Sequence, residues 1–246
     1  MKLGNANPTI IDFDPFLTAT NQTLELGASI DISDGRRFRY SSCGSALTGG
    51  QVAQAQATKT GHSGLVVSLN TVYPSAVVTL TNGTTPIVAS EYTEGFLSMN
   101  TGVATGATFK ISDNQATAAS AAGNVTLFDV YPNPAIQTGA VVSLIYHARK
   151  LTAAAAVNNR RLSGSTLVAV PALSFYWGQT HGICTLTADA NAIVQGSTLV
   201  CSTLTAGSVT QQSATFATAQ TTVTVGMSSY NAVAPSAAFP AFLTID

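Results

Sequence analysis

The stretch from Phe175 to Ser202 constrains this chain most. It opens on three consecutive aromatics, Phe175, Tyr176 and Trp177, in a chain that is 7% aromatic and has one Trp. Such a run is a large apolar payload that has to be buried or docked. The stretch also holds His181, Cys184 and Cys201. Gly178, Gly182 and Gly196 sit where the backbone would turn tightly or take positive φ, so the pattern reads strand, bend, strand, turn, strand. Trp177 is then either the centre of a buried hairpin or the anchor of a subunit contact. A fainter copy lies upstream. Ala46, Leu47, Gly50 and Val52 follow the same form as Ala192, Ile193, Gly196 and Leu199: Ala, large aliphatic, two residues, Gly, then a short apolar run. The echo points to two related β-modules.

Ala, Thr, Ser, Val and Gly dominate the 246 residues, which favours short strands and turns over long helices. Charged residues make up only 9%, against roughly 25% in ordinary soluble domains. A surface of small neutral residues suits a protein packed against copies of itself or against another shell. The hydrophobic fraction of 46% argues against disorder. A net charge of −1 supplies no field toward nucleic acid or an anionic membrane. Cys43, Cys184 and Cys201 show no CxxC pairing; they read as buried free thiols or as one Cys184–Cys201 bridge, not as a metal site. No signal sequence opens the chain and no apolar run approaches the ~18 residues of a membrane span, so synthesis in a cytoplasm is expected. The sequons at Asn21, Asn82 and Asn124 read as accidents of a Thr-rich chain.

Residues 1–22 fit no period. They read as an extended N-terminal arm whose apolar residues, Phe13 and Phe16 among them, dock on a neighbour or on the body, or as a frayed terminus. From Leu24 to Ile32 apolar and polar residues alternate strictly, which predicts a strand. Asp34 and Gly35 predict a two-residue hairpin turn, and Arg36–Tyr40 the return strand. Alternation places Phe38 and Tyr40 on an inner face, and Arg37 and Arg39 on an outer one. Further strands are predicted at 65–69, 77–80, 109–111, 125–130, 141–146, 167–170, 199–201 and 223–227. Asn82 and Gly83 predict a second hairpin turn, and residues 95–106 a turn and loop. Residues 151–162, with four consecutive Ala, read as a short helix or as a linker. The expected architecture is mainly β: antiparallel sandwich or barrel modules, jelly-roll-like or similar, with little helix. Expected units are the arm 1–22, a first β-rich module 23–150 and a second 151–246, the two modules either separate or joined in one body.

Motifs of chemistry are missing from the sequence. There is no GxSxG, no GxGxxG and no P-loop, and His62, His147 and His181 have no metal-ligand spacing. The close acidic pairs are Asp12 with Asp14 and Glu91 with Glu94. A glycosidase needs two carboxylates ~5–10 Å apart across a cleft, which sequence alone does not indicate. No enzymatic activity, cofactor or metal is expected. Basic residues cluster at Arg36, Arg37 and Arg39 and at Arg149, Lys150, Arg160 and Arg161. With Phe38 and Tyr40 turned inward, these clusters lack the exposed aromatics of a nucleic-acid platform. They read as partners for acidic groups on another protein, or as solvated charges.

Several segments resemble small virion proteins of tailed bacteriophages: Asp34–Tyr40, Cys43–Gly50, Glu91–Phe96, Phe175–Gly182 and the closing Phe242–Asp246. The likeness is to capsid decoration (cement) proteins and their relatives. It implies an oligomeric β-rich clamp on the head exterior, with the major capsid protein and other copies of the chain, in a homotrimer, as partners. No catalytic residues follow from it. Candidate partner contacts are Phe13, Phe16, Arg37, Arg39, Arg160, Arg161 and Trp177. A tail or fibre module that binds host glycan is the alternative, and would use Trp177 and Tyr176 as an exposed platform. A polysaccharide-degrading enzyme is a third reading.

Overall fold

The computed structural model describes residues 13–71, 74–129, 136–155, 161–212, 223–231 and 237–245. Among them there are strands and turns but no helix. The chain begins with β1 (Thr18–Ala19), β2 (Ser29–Asp31), β3 (Arg37–Ser42) and β4 (Val52–Gln54). Six strands follow: β5 (Leu65–Val67), β6 (Val77–Thr81), β7 (Phe96–Met99), β8 (Thr108–Asn114), β9 (Ala122–Leu127) and β10 (Val141–Ile145). The last seven are β11 (Ala153–Ala154), β12 (Leu162–Ser165), β13 (Phe175–Thr187), β14 (Thr198–Cys201), β15 (Val209–Gln211), β16 (Thr224–Ser228) and β17 (Ala238–Thr244). The protein is mainly β, as its composition indicates.

Strands β5–β10 close into an antiparallel barrel in the order β10-β5-β6-β9-β8-β7. Period-two alternation fills it: Val78, Leu80, Val125 and Leu127 point inward with Val67, Leu97, Ile111 and Leu144. The remaining eleven strands form a second sheet whose spine is the thirteen-residue β13. Its N-terminal half pairs with β3, Trp177 opposite Tyr40, and its C-terminal half with β17, Ile183 opposite Phe242. Strands from both sides of residue 150 share this sheet, so pairing does not follow two consecutive modules; the barrel is inserted between β4 and β11.

Several local expectations are corrected. The stretch 175–187 is one strand and not two around a bend: register with β3 shifts between Gln179 and His181, and Gly182 (φ 86°) carries β13 past the Gly35–Arg36 backbone, where a Cβ would lie 3.0 Å from Gly35 O. The β2–β3 hairpin has a three-residue loop: Ile32 N–H donates to Arg36 O, and Gly35 takes positive φ. Alternation from Leu24 overstates β2, because Glu25–Ala28 is a turn. Asn82 makes no hairpin. Its buried amide donates to the carbonyls of Thr85 and Ala118, pinning a loop while β6 pairs with β5 and β9. Residues 95–106 contain β7, and the strand near 167–170 lies earlier, at β12. The Ala-rich 151–162 run has no helix where it is described: Ala153 and Ala154 pair with β4, because edge pairing outweighs helix propensity there. Residues 156–160 lie outside the described residues. The three Cys are free, with Cys184 and Cys201 packed in the same core.

The echo noted around Leu47 and Ile193 extends further than two copies. Eight strands are preceded by a four-residue turn with its third residue at positive φ and a bond from the fourth N–H to the first carbonyl. The turns begin at Glu25, Thr48, Tyr92, Ala104, Ala118, Gln137, Val194 and Thr205. This is the type II pattern, and Gly fills its third position in all but two, which carry Glu94 and Ser120.

Candidate partner-docking surface

Three segments singled out in the sequence, Asp34–Tyr40, Phe175–Gly182 and the one that opens at Phe242, meet in the larger sheet, because β3 and β17 both pair with β13. At the β3–β13 end lies an aromatic cluster. Trp177 meets the Phe13 ring edge-on at 5.2 Å and Tyr40 at 5.3 Å, while Tyr40 stacks on Phe175 at 5.7 Å. Phe13 also packs on Phe38 at 5.3 Å. Trp177 is 8% exposed and Tyr176 2%, so both are core side chains and offer no aromatic platform to a sugar. Of the docking alternatives for the arm, Phe13 takes the body of its own chain; residues 1–12 lie outside the described residues.

The basic candidates are placed less uniformly. Arg37 Nε pairs with Asp31 Oδ1 at 2.6 Å, directly across the β2–β3 hairpin. Arg39 is half-buried and donates to Gly27 O. Arg161 is exposed at the entry to β12, and Arg160 lies outside the described residues. Arg149 is buried and donates to Ser163 O, which makes it a structural group.

Sequence reading missed a second surface, formed where β13, β17 and β16 turn their outer faces to solvent. Ile183, Phe242 and Met227 stand in one cross-strand row and are 54%, 37% and 52% exposed. Thr185, Ala238, Pro240 and Thr244 continue this face, and His181, in the same phase of β13, meets the Phe242 ring edge-on at 5.1 Å; the face carries no Asp, Glu, Lys or Arg on those three strands. A signal was present. In β17 both phases are neutral: Phe239, Ala241 and Leu243 go inward, while Ala238, Pro240 and Phe242 face out. At one end the face runs into a groove of about 460 Å³, lined by Phe16, Arg36, Ser165, Ile183, Thr185 and Pro240 among others. Phe16 is 57% exposed, and the buried Ser165 hydroxyl has no hydrogen-bond partner.

The titratable groups do other work. Glu94 accepts bonds from Leu26 N–H and Gln22 Nε2, each 2.7 Å, and so ties the first strands to the barrel. Glu91 accepts from Tyr146 Oη and pairs with Lys59, while Tyr146 stacks on Tyr92 at 4.6 Å. Burial pushes the Glu91 carboxyl up, but the Lys59 and Tyr146 bonds outweigh it and hold the group below its ordinary 4.5. The two carboxylates thus serve structural bonds. Asp14 accepts the Phe16 N–H, and Asp12 lies outside the described residues. His62 is buried between Tyr92 Oη and Thr85 O, at 2.6 and 2.9 Å. His147 is pushed down to about 4 by burial and by the nearby Lys110, Arg149, Arg161 and Lys150.

No protein-family model, curated protein or solved structure matches the chain.

Proposed function

We propose that this chain is a structural virion protein that binds the outer surface of a tailed-phage capsid and cements its major capsid protein lattice, acting as a homo-oligomer, a trimer in the simplest case. The observation that supports the reading is the exposed apolar Ile183–Phe242–Met227 row, set on the neighbouring strands β13, β17 and β16 of the larger sheet. Three strands at ~4.8 Å spacing and seven residues at ~3.4 Å give a patch of roughly 300 Å². At ~25 cal/mol per Å² its burial is worth about 7 kcal/mol before the cost of association. One such contact is weak, and a shell that repeats it many times is held by the sum. The glycan-binding alternative needs exposed aromatics at Trp177 and Tyr176, and these are buried.

The test is co-sedimentation of the purified protein with capsids of its phage lacking it. Wild type is expected to saturate defined lattice sites. The double variant Ile183→Asp, Met227→Asp should stay folded and lose most occupancy, since both side chains are exposed. Undiminished decoration by the double variant, or no binding by wild type, would refute the reading.

A further inference from the structure

The described members of the basic cluster at 149–161 gather, with Lys110, about one half-buried imidazole where the barrel meets the larger sheet. His147 stacks on Phe96 at 6.0 Å, and Phe96 stands opposite Lys110 in the β7–β8 register. From the other side Gly27 closes on the ring, and Gly27 O accepts Arg39 Nη1 at 3.2 Å. Ser163 Oγ donates to Ala148 O at 2.8 Å, which brings the entry to β12, with Arg161, against the 147–150 loop. The charges of Lys110, Arg149, Arg161 and Lys150 all bear on the imidazole, Lys110 most strongly. The acids nearby are engaged. Glu25 holds Lys110 at 3.1 Å, in an exposed pair that contributes little. Glu94 accepts from Leu26 and Gln22, Glu91 pairs with Lys59, and Asp113 accepts from Thr93; all three act on Lys150. Arg161 is exposed and has no ion pair among the described residues.

The imidazole also offers a donor. Its Nδ1 accepts the Arg149 N–H, so its proton sits on Nε2, which has no partner among the described residues and is not enclosed. A Cβ on Gly27 would lie 3.3 Å from Nε2; with glycine there, no side chain caps that atom. We propose that this junction binds a phosphate-type oxyanion, held by His147 Nε2–H, Lys110 and Arg161. The site is independent of the capsid reading. Its donors come from three elements: the 147–150 loop, β8 and the entry to β12. Such a set suits a tetrahedral group, which accepts on several sides, better than a planar carboxylate. The anion takes Lys110 over from Glu25 and supplies the negative charge that Arg161 lacks. It also reverses the field on His147, so anion and imidazole proton favour each other's binding.

Inorganic sulfate, which keeps its charge from pH 4 to 8, is the probe, and the His147 ring signal in carbon–proton NMR of the full chain is the readout. The signal is assigned by its loss in His147→Asn. At pH 6.5 sulfate should move it to saturation, with half the change by about 10 mM. Saturating sulfate should raise the His147 titration midpoint by about one pH unit, equivalent to about tenfold tighter anion binding by the protonated form. Arg161→Gln should weaken binding about five-fold or more, and Glu25→Gln, which frees Lys110, should tighten it. Both side chains are exposed, so both variants keep the fold. Acetate should move the signal less than half as far. The proposal is overturned if sulfate moves the signal no more than chloride at equal ionic strength, or leaves the midpoint unchanged. An equal response to acetate, or an undiminished one in Arg161→Gln, overturns it too.

Discussion

Protonating His147 should cost this fold measurable stability, in a pH range set by its surroundings. Its ring stacks on Phe96 at 6.0 Å, its Nδ1 accepts the Arg149 N–H at 3.2 Å, and a Cβ on Gly27 would lie 3.0 Å from Cε1. The native imidazole is therefore neutral, with its proton on Nε2. Burial first, then Lys110, Arg149, Arg161 and Lys150, push it from the ordinary 6.5 down to about 4. The sign follows from linkage. Between these values the unfolded chain binds a proton that the native state does not, so the contribution is complete above 6.5 and is lost as pH falls toward 4. At 1.36 kcal/mol per pH unit the full loss is about 3 kcal/mol, and nearer 2 kcal/mol once partial solvent screening of the ring is allowed for. Urea unfolding followed by Trp177 fluorescence at pH 7.5 and 4.5 measures it. In His147→Asn an amide oxygen keeps the acceptor for Arg149 N–H without a titrating group. Wild type should lose about 2 kcal/mol more than the variant between the two pH values. Parallel losses in the two proteins would refute the reasoning.

Two further outcomes follow from buried groups. Trp177→Ala should cost ~3–5 kcal/mol, lowering the melting temperature seen by circular dichroism while leaving assembly intact below it; wild-type Trp177 emission should be blue-shifted and poorly quenched by iodide, and red-shifted, freely quenched emission would contradict a core position. Glu91→Gln should cost about 2–3 kcal/mol at pH 7 by removing the anion that Lys59 and Tyr146 share. Because the folded carboxyl is held below 4.5, wild-type stability from this group is present above that pH and fades below it, so the two proteins' urea midpoints should converge in acid.

Strand identity was legible where one face is buried and the other polar. The barrel strands β6 and β9 show that alternation, and so does β3, with Phe38 and Tyr40 inside. What the sequence hid was pairing. Nothing local in Phe175–Thr187 says that one strand will meet β3 with its first half and β17 with its second. Gly182 looked like the site of a bend because positive φ usually turns a chain; here it relieves a register shift inside a continuous strand. Asn82 and Gly83 carry a hairpin signal that a local bond to Thr85 O and a long-range one to Ala118 O override. The exposed apolar face was illegible for a related reason. Aromatics and arginines stand out in a sequence as contact residues, whereas the exposed apolar row uses Ile183, Phe242 and Met227, which resemble core residues until register assigns them outward.

The distribution of the few charges ties these features together. Many of them stitch the barrel to the larger sheet, or one loop to another. Lys110 reaches Glu25 at 3.1 Å, and Lys150 donates to Ser90 O and Thr93 O at 3.0 and 3.1 Å. Glu94 holds Leu26 and Gln22, Lys59 holds Glu91, and Arg37 holds Asp31. Glu94 does this from a turn position that six of the eight corners give to Gly, and its φ of 64° is the strain that such a placement entails. The two bonds it accepts at 2.7 Å are charge-assisted and offset that strain. With most of the described ionic groups bound to the chain's own scaffold, the outer face of β13, β17 and β16 is left without Asp, Glu, Lys or Arg on its hydrogen-bonded strands. A face of that kind presents few desolvation penalties to a partner and no long-range field to steer one. Its association should accordingly be slow to start, insensitive to salt, and dependent on many repeated contacts for strength, which is the regime in which a repeating shell is a favourable target and an isolated monomeric partner is not.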